Sequence, residues 1–151
     1  MTGRIAATSV DVFLDALASD APTPGGGAVA ALAGASGAAL ISMVCNLTIG
    51  RTGYEEAEER MRGVLDEAES SRTVLLDLAD RDAAAFGSVM AAFKMPKETD
   101  AERAVRSQAI QEGYSAAAEV PLDIARRAAE LMELAREVTE IGNAAASSDG
   151  A

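Results

Sequence analysis

Asp82 is the acidic residue whose position in the sequence most suggests chemistry. Positions seven residues apart are apolar or aromatic with the exception of this one: Tyr54, Met61, Ala68, Leu75, Asp82 and Val89. Because a helix places such positions on one face, Asp82 is predicted to lie among apolar neighbours, one turn from Leu78 and Phe86. A carboxylate that is desolvated and left without a charged partner has a raised pKa and can act as a general acid and base. A structural salt bridge to Arg126 or Arg127, or an apolar face that rotates around the helix, explains the pattern equally.

The run Pro24-Gly25-Gly26-Gly27 is the second candidate. It directly precedes a predicted helix that begins at Ala28. The first N–H groups of a helix have no partner within the helix, and its dipole places partial positive charge there. Glycine also lets a ligand approach the backbone closely. The run therefore predicts a binding place for an anion or a polar carbonyl, with a plain helix-linking turn as the alternative, and it matches neither common nucleotide-binding glycine motif.

The remaining candidate binding residues that the pattern alone suggests are two lysines and one asparagine. Lys94 and Lys97 are the only lysines of the chain and lie in one four-residue turn. They form a local positive site for an anionic substrate tail, although a solvated helix C-terminus also favours cations. Asn46 lies inside an uncharged helix and needs a hydrogen-bond partner in the core or in a ligand. Its neighbour Cys45 is expected to be a packing residue, because no basic group activates it.

Composition excludes several classes of function. The 151 residues contain no His, which removes the commonest general base and metal ligand, and the single Cys excludes an internal disulfide or a Cys-based zinc cluster. The formal net charge of −11 makes nucleic acid and anionic membranes poor partners. Arg4 has no apolar run behind it, so a signal peptide is not supported. We expect a cytoplasmic protein without a metal site.

The elements that must position these residues are helices. Apolar periodicity predicts an all-α fold, a compact bundle of about five helices with a central Ala/Gly-rich apolar helix and one long amphipathic helix. Capping boxes at Thr8–Asp11 and Thr99–Glu102 are predicted to open two of the helices. Pro121 is predicted to kink or split the last long helix. The predicted helices start near residue 10 and then span 28–50, 54–93 and the stretch from 99 to 141.

The segment 28–50 also has to be tested as a membrane span. It contains no charged residue, and as a helix it would be about 34 Å long, enough to cross a bilayer. Ala and Gly outnumber Leu and Ile, Asn46 lies inside it, and acidic residues flank it. These features favour the centre of a soluble bundle or a subunit interface, so we expect no membrane partner.

The motifs together resemble the cyclodeaminase/cyclohydrolase family of folate enzymes. The resemblance covers nearly the whole chain, and the run 22–46 is its most distinctive part. The other matching segments are 82–86, 92–97, Val120-Pro121, Gly142-Asn143 and Ser148-Asp149. The family's motif aspartate falls on Asp82. Where the family often has Ser after the three glycines, this chain has Ala28, so a hydroxyl contact from that position is absent.

The resemblance implies an all-helical subunit, usually a homodimer, that acts on tetrahydrofolate-bound one-carbon units with no tightly bound cofactor. The expected reaction is that of a formimidoyltetrahydrofolate cyclodeaminase, with Asp82 as the catalytic acid and base. A methenyltetrahydrofolate cyclohydrolase is the close alternative, and a non-catalytic helical scaffold is the alternative of another class. Substrate binding is assigned to Pro24, Gly25, Gly26, Gly27, Asn46, Phe86, Lys94, Lys97, Asn143 and Asp149.

One difference from the family concerns length. Members continue with a further helix after the Ser-Asp motif, whereas this chain ends at Ala151. Either the sequence is shortened or that helix is missing. We therefore expect residues 1–151 to form a single cyclodeaminase/cyclohydrolase-like helical domain, with the C-terminal helix absent only in the second case.

Overall fold

The chain is helical throughout the residues that the computed structural model describes, 4–151. Within this range there are five α-helices, three 3-10 helices of three residues each and no strand. The α-helices are α1 (Val10–Leu17), α2 (Gly26–Thr48), α3 (Glu58–Phe93), α4 (Asp100–Ile141) and α5 (Ser147–Gly150). The predicted all-α class is confirmed.

The two predicted capping boxes differ in outcome. At the start of α4, the Glu102 amide donates to the Thr99 hydroxyl and the Thr99 amide donates to the Glu102 carboxylate, at 3.2 and 2.9 Å. This box is confirmed. The box predicted at Thr8 is wrong, because the Thr8 hydroxyl donates to the carbonyl of Arg4 and α1 begins after Ser9. The Thr8 hydroxyl is therefore bonded within the turn before α1 and does not cap that helix.

Helix α4 continues through Pro121 instead of splitting there. Of the two predicted outcomes, the split is wrong, since the chain stays helical on both sides of the proline; the kink stays a prediction. Pro121 has no N–H group, so it cannot donate to the carbonyl of Ala117 four residues earlier. Helix α4, which has 42 residues, continues despite the loss of this one hydrogen bond.

The chain divides into two compact units. The first, here called the N-terminal unit, comprises residues 4–30 and Asp77–Ile124. Its buried apolar side chains come from every one of its segments: Ile5, Phe13, Ala28, Leu78, Ala79, Val89, Ala92, Ile110, Val120 and Ile124. Residues 4 and 5 are tied to α3, because the Ile5 amide and the Arg4 guanidinium both donate to Asp80, at 2.7 and 3.2 Å.

The second, or C-terminal, unit comprises Ala31–Leu76 and Ala125–Ala151. Its core includes fully buried side chains from three helices: Val44, Met61, Val64, Leu75 and Val138. A methyl group added at Gly34 would lie 3.1 Å from Leu75, so α2 and α3 pack closely there. The expectation of one single domain stays a prediction.

Helix α2 buries one face and exposes the other. Its buried positions recur every three or four residues, and the helix carries no charge. By length and composition α2 is able to cross a membrane, and 44% of its most apolar stretch is buried. On the opposite face Leu40, Met43 and Leu47 are exposed. The helix is uncharged all round, and only one side of it reaches the core, whereas the sequence predicted a central position.

Candidate active site

The N-terminal unit contains an open cleft of about 400 Å³. Three segments form it: the loop before α2 with the first turn of that helix, the second half of α3, and the middle of α4. The residues that line it are Pro22, Thr23, Gly25, Gly26, Gly27, Asp82, Ala85, Phe86, Val89, Met90, Phe93, Tyr114 and Ala117. The lining thus brings together the two features that the sequence singles out, the Asp82 carboxylate and the glycine loop. Asp82 and Gly27 are 55 residues apart in the sequence.

Asp82 lies against the first turn of α2. A methyl group added at Gly27 would lie 2.1 Å from Oδ1 of Asp82 and 2.7 Å from Oδ2, far inside contact distance. Only glycine therefore leaves room for the carboxylate in this position. The side chain is half-buried rather than buried, because it lines the cleft. Asp82 thus combines apolar neighbours with access to a ligand.

The salt-bridge explanation of Asp82 finds no support in the structure. Among the described residues of its own unit, the Asp82 carboxylate has no ion pair or hydrogen bond. Arg127, one of the two arginines considered, pairs with Glu130 at 2.9 Å within α4. The carboxylate is therefore available to a ligand in the cleft.

The glycine loop is part of α2 rather than a linker in front of it. The helix begins at Gly26, two residues earlier than predicted, and the Gly25 carbonyl accepts from the Val29 amide at 3.1 Å. The amides of the first turn have no partner within the helix, and the positive end of the helix dipole lies there. A polar or anionic ligand group in this part of the cleft is favoured. Pro24 is buried, follows a cis peptide bond, and does not line the cleft.

The other side of the cleft is aromatic. Phe86 and Phe93 of α3 are each 39% exposed, and Tyr114 of α4 is 51% exposed. The rings of Phe93 and Tyr114 meet edge to face, with centroids 6.1 Å apart. A methyl group added at Gly113 would lie 3.3 Å from Val89, so glycine allows α4 to approach α3 next to this wall. The arrangement offers flat apolar surfaces to a planar ring.

Sequence reasoning found Phe86 but missed Phe93 and Tyr114. Both lie on helices whose pairing the sequence does not specify. The sequence contained one signal that could have pointed to them, the scarcity of aromatic residues. The chain has three Phe, two Tyr and no Trp. Three of those five aromatic side chains line the cleft.

Besides Pro24, five predicted binding residues lie outside the lining of this cleft. Asn46 is exposed on α2, and Lys94 and Lys97 are exposed at the end of α3. Asp149 is exposed and lines a separate apolar groove of the C-terminal unit with Leu40 and Met132, among others. The assignment of these residues to substrate binding stays a prediction.

Asn143, the fifth, has a structural use in the C-terminal unit. Its side chain is buried, donates to the carbonyl of Leu47 at 3.1 Å and accepts from the Ala145 amide at 3.0 Å. Its own amide donates to the Thr48 hydroxyl at 2.9 Å. These bonds hold the end of α4 against the end of α2.

Cys45 is fully buried, and burial raises the pKa of its thiol to about 11. The thiolate is therefore scarce near neutral pH, which disfavours a nucleophilic role. Within residues 4–151 no group of three or more acidic or Cys side chains is arranged to hold a metal ion. The groups that the cleft offers to a ligand are a carboxylate, backbone amides and aromatic rings.

The chain is similar to known proteins over most of its length. A family model described as formiminotransferase-cyclodeaminase matches residues 9–151. A methenyltetrahydrofolate cyclohydrolase of Methylorubrum extorquens is 49% identical over 135 residues, which are 89% of this chain and 65% of that protein. A formimidoyltransferase-cyclodeaminase of Rattus norvegicus is 37% identical over 141 residues, 93% of this chain and 26% of that protein.

A solved structure is similar over nearly the whole chain. The crystal structure of a formiminotetrahydrofolate cyclodeaminase from Thermotoga maritima matches with a TM-score of 0.84 and 36% identity, covering 97% of this chain and 69% of that one. The chain spans less than two thirds of the length of the curated relatives given above.

Proposed function

Because the chain belongs to the formiminotransferase-cyclodeaminase family, we propose that it is a tetrahydrofolate one-carbon enzyme of the cyclodeaminase type. Its reaction converts 5-formiminotetrahydrofolate into 5,10-methenyltetrahydrofolate and ammonia. The observation that carries this proposal is the Asp82 carboxylate, which lines an aromatic cleft in contact with the first turn of α2. The reaction needs one group that moves a proton between two nitrogens, and Asp82 is the titratable acid in that cleft.

The proposed steps use Asp82 twice. N10 of the substrate attacks the carbon of the protonated formimino group, and Asp82 accepts the proton that N10 loses. Asp82 then gives this proton to the amino group, the carbon–nitrogen bond breaks, and ammonia leaves. The product is the 5,10-methenyl cation, and its positive charge is stabilised by the carboxylate that has just been regenerated.

The remaining lining residues suit the rest of the substrate. A pterin ring is planar and carries polar atoms along its edges. Phe86, one helical turn from Asp82 on α3, offers it an apolar face, and the amides of Gly26 and Gly27 offer donors to its polar edge. Both requirements are met within one cleft of the N-terminal unit.

A second activity is favoured by one observation. The cyclohydrolase of Methylorubrum extorquens is 49% identical to this chain, compared with 37% for the rat cyclodeaminase. In the cyclohydrolase reaction Asp82 would accept a proton from the water that attacks the methenyl carbon. The bond from that carbon to N5 would then break, N5 would take up a proton, and 10-formyltetrahydrofolate would form. The same carboxylate thus serves both reactions.

The methenyl product absorbs light strongly, so one spectrophotometric assay separates the activities. Formation from 5-formiminotetrahydrofolate supports the cyclodeaminase, and loss of added methenyltetrahydrofolate above the spontaneous rate supports the cyclohydrolase. If the wild-type chain does neither, the proposal fails and a non-catalytic scaffold is favoured.

The assay also tests the role of Asp82. We expect Asp82→Asn to lower kcat at least about a hundredfold, since general acid–base groups contribute about that much. Asp77→Asn makes the same chemical change on an exposed position of α3 and should keep the wild-type rate. Equal rates for wild type and Asp82→Asn would remove Asp82 from the mechanism.

We further propose that the protein is a homodimer of the cytoplasm and needs no tightly bound cofactor. Support for the dimer comes from α2, whose exposed residues Leu40, Met43 and Leu47 form an uncharged apolar face on an acidic chain. Apolar faces of this kind commonly mark interfaces. The location and the absence of a cofactor rest on the sequence expectations alone.

A further inference from the structure

Arg106 stands apart from the other arginines of the chain. Most arginines among residues 4–151 are paired with carboxylates, including those that are half-buried: Arg72 with Glu69, and Arg127 with Glu130. Arg106 is half-buried as well, yet it has no carboxylate partner among the described residues. In a chain with 24 acidic and 13 basic residues, such a cation is unusual.

The structure holds Arg106 on the aromatic wall of the cleft. Its guanidinium carbon lies 5.6 Å from the centre of the Phe93 ring, which lines the cleft. Nε and Nη2 of Arg106 both donate to the carbonyl oxygen of Phe93, at 3.3 and 3.2 Å. Among the described residues Nη1 has no partner, and with the second N–H of Nη2 it forms an edge that can bind a carboxylate through two hydrogen bonds.

We infer that Arg106 binds the glutamate carboxylate of the folate substrate, an inference that rests on the proposed function. Tetrahydrofolate ends in p-aminobenzoylglutamate, whose carboxylates must approach a protein of net charge −11. A cation fixed beside the cleft offsets this repulsion. The exposed Lys94 and Lys97 are the competing partners, but no contact ties either of their ammonium groups to the cleft.

The positions of Asp82 and Phe93 indicate how the substrate would run. The two residues are about 16 Å apart along the axis of α3. The spacer between N10 and the nearer glutamate carboxylate is a benzene ring with an amide, on the order of 9 Å long from ordinary bond lengths. With N10 beside Asp82, this spacer would direct the carboxylate along α3 towards Phe93, on whose ring the Arg106 guanidinium lies.

The test compares two stable ligands: 5-formyltetrahydrofolate, and a truncated compound in which an uncharged carboxamide replaces the glutamate. Their dissociation constants are measured by calorimetry for wild type, Arg106→Gln and Arg106→Lys. We expect wild type to bind the glutamate compound at least about tenfold more tightly. Arg106→Gln should lose that preference and bind the truncated compound within about twofold of wild type. Arg106→Lys, which keeps the charge but loses the paired geometry, should fall between them.

Two further variants serve as comparisons. Arg51→Gln removes the same charge from an exposed arginine of the C-terminal unit and should behave as wild type. In the enzyme assay, Arg106→Gln should raise KM and leave kcat within about twofold, because the contact is remote from the reacting carbon.

Three results would overturn the inference while leaving the proposed function intact. The first is that wild type binds both compounds with equal affinity. The second is that Arg106→Gln loses the same affinity for both compounds. The third is that Lys94→Gln or Lys97→Gln loses the preference for the glutamate compound while Arg106→Gln keeps it. Failure of wild type to bind either compound would overturn the proposed function together with the inference.

Discussion

At the scale of single residues, Gly27 determines where the Asp82 carboxylate can lie. We expect Gly27→Ala to lower kcat at least about tenfold, because the new methyl group occupies the place of Oδ1 and turns the carboxylate away. Stability should be retained or raised, since Ala is the better helix former by roughly 1 kcal/mol. Enzyme kinetics and thermal unfolding measure the two effects separately.

Gly37→Ala is the matched control for that variant. Gly37 lies in the same helix, and a methyl group added there meets nothing within 4 Å. This variant should gain about 0.5–1 kcal/mol of stability and keep the wild-type rate. Unchanged activity in Gly27→Ala would show that the position of the carboxylate seen here is not the one that catalysis uses.

At the residue scale, a local pattern was enough to single out residues that line the cleft, although their roles stay predictions. Asp82 interrupts an apolar series within one helix, and the glycine run precedes another, so both were visible in the sequence. Tyr114 and Arg106 were not singled out, because their importance depends on how α4 pairs with α3. The Thr8 capping box failed since the hydroxyl of Thr8 had a second possible acceptor, the carbonyl of Arg4.

At the scale of elements, the junction between α4 and α2 depends on one hydroxyl. The Thr48 hydroxyl donates to the carbonyl of Val44 at 2.7 Å and accepts from the Asn143 amide at 2.9 Å. We expect Thr48→Val, which keeps the shape, to lower the free energy of unfolding by about 1–3 kcal/mol, because the buried amide loses its partner. Denaturant unfolding measures this.

Thr73→Val is the corresponding control. Thr73 is exposed on α3, and its hydroxyl donates only to the carbonyl of Glu69 in its own helix. This substitution should change stability by no more than about 0.5 kcal/mol. If the two variants lost equal stability, the buried hydrogen bond would not be the cause.

Helices were easier to predict than the contacts between them. Periodicity and caps lie within each segment, so the existence of α1 to α4 could be predicted, with α2 displaced by two residues. Contacts such as Gly113 with Val89 join residues from separate helices. No local pattern in a single sequence specifies such pairs. The cleft is built from them, so the sequence alone did not predict it.

At the scale of the whole molecule, charge and apolar surface oppose each other. A net charge of −11 keeps copies of the chain apart, whereas the exposed face of α2 with Leu40, Met43 and Leu47 favours their association. We expect wild type to sediment as a dimer in analytical ultracentrifugation. Met43→Glu should shift it to monomer, because it places a charge on that face.

Val105→Glu adds the same charge at an exposed position of α4 and should leave the dimer intact. A monomeric wild type at micromolar concentration, or an equal shift in both variants, would contradict the interface on α2.

The burial of Cys45 has a practical consequence for following motions of the molecule. It is the only thiol of the chain, and no part of it reaches solvent. An alkylating reagent can react with it only in molecules whose C-terminal unit has transiently opened. The rate of alkylation under native conditions therefore reports the frequency of that opening, without any engineered label.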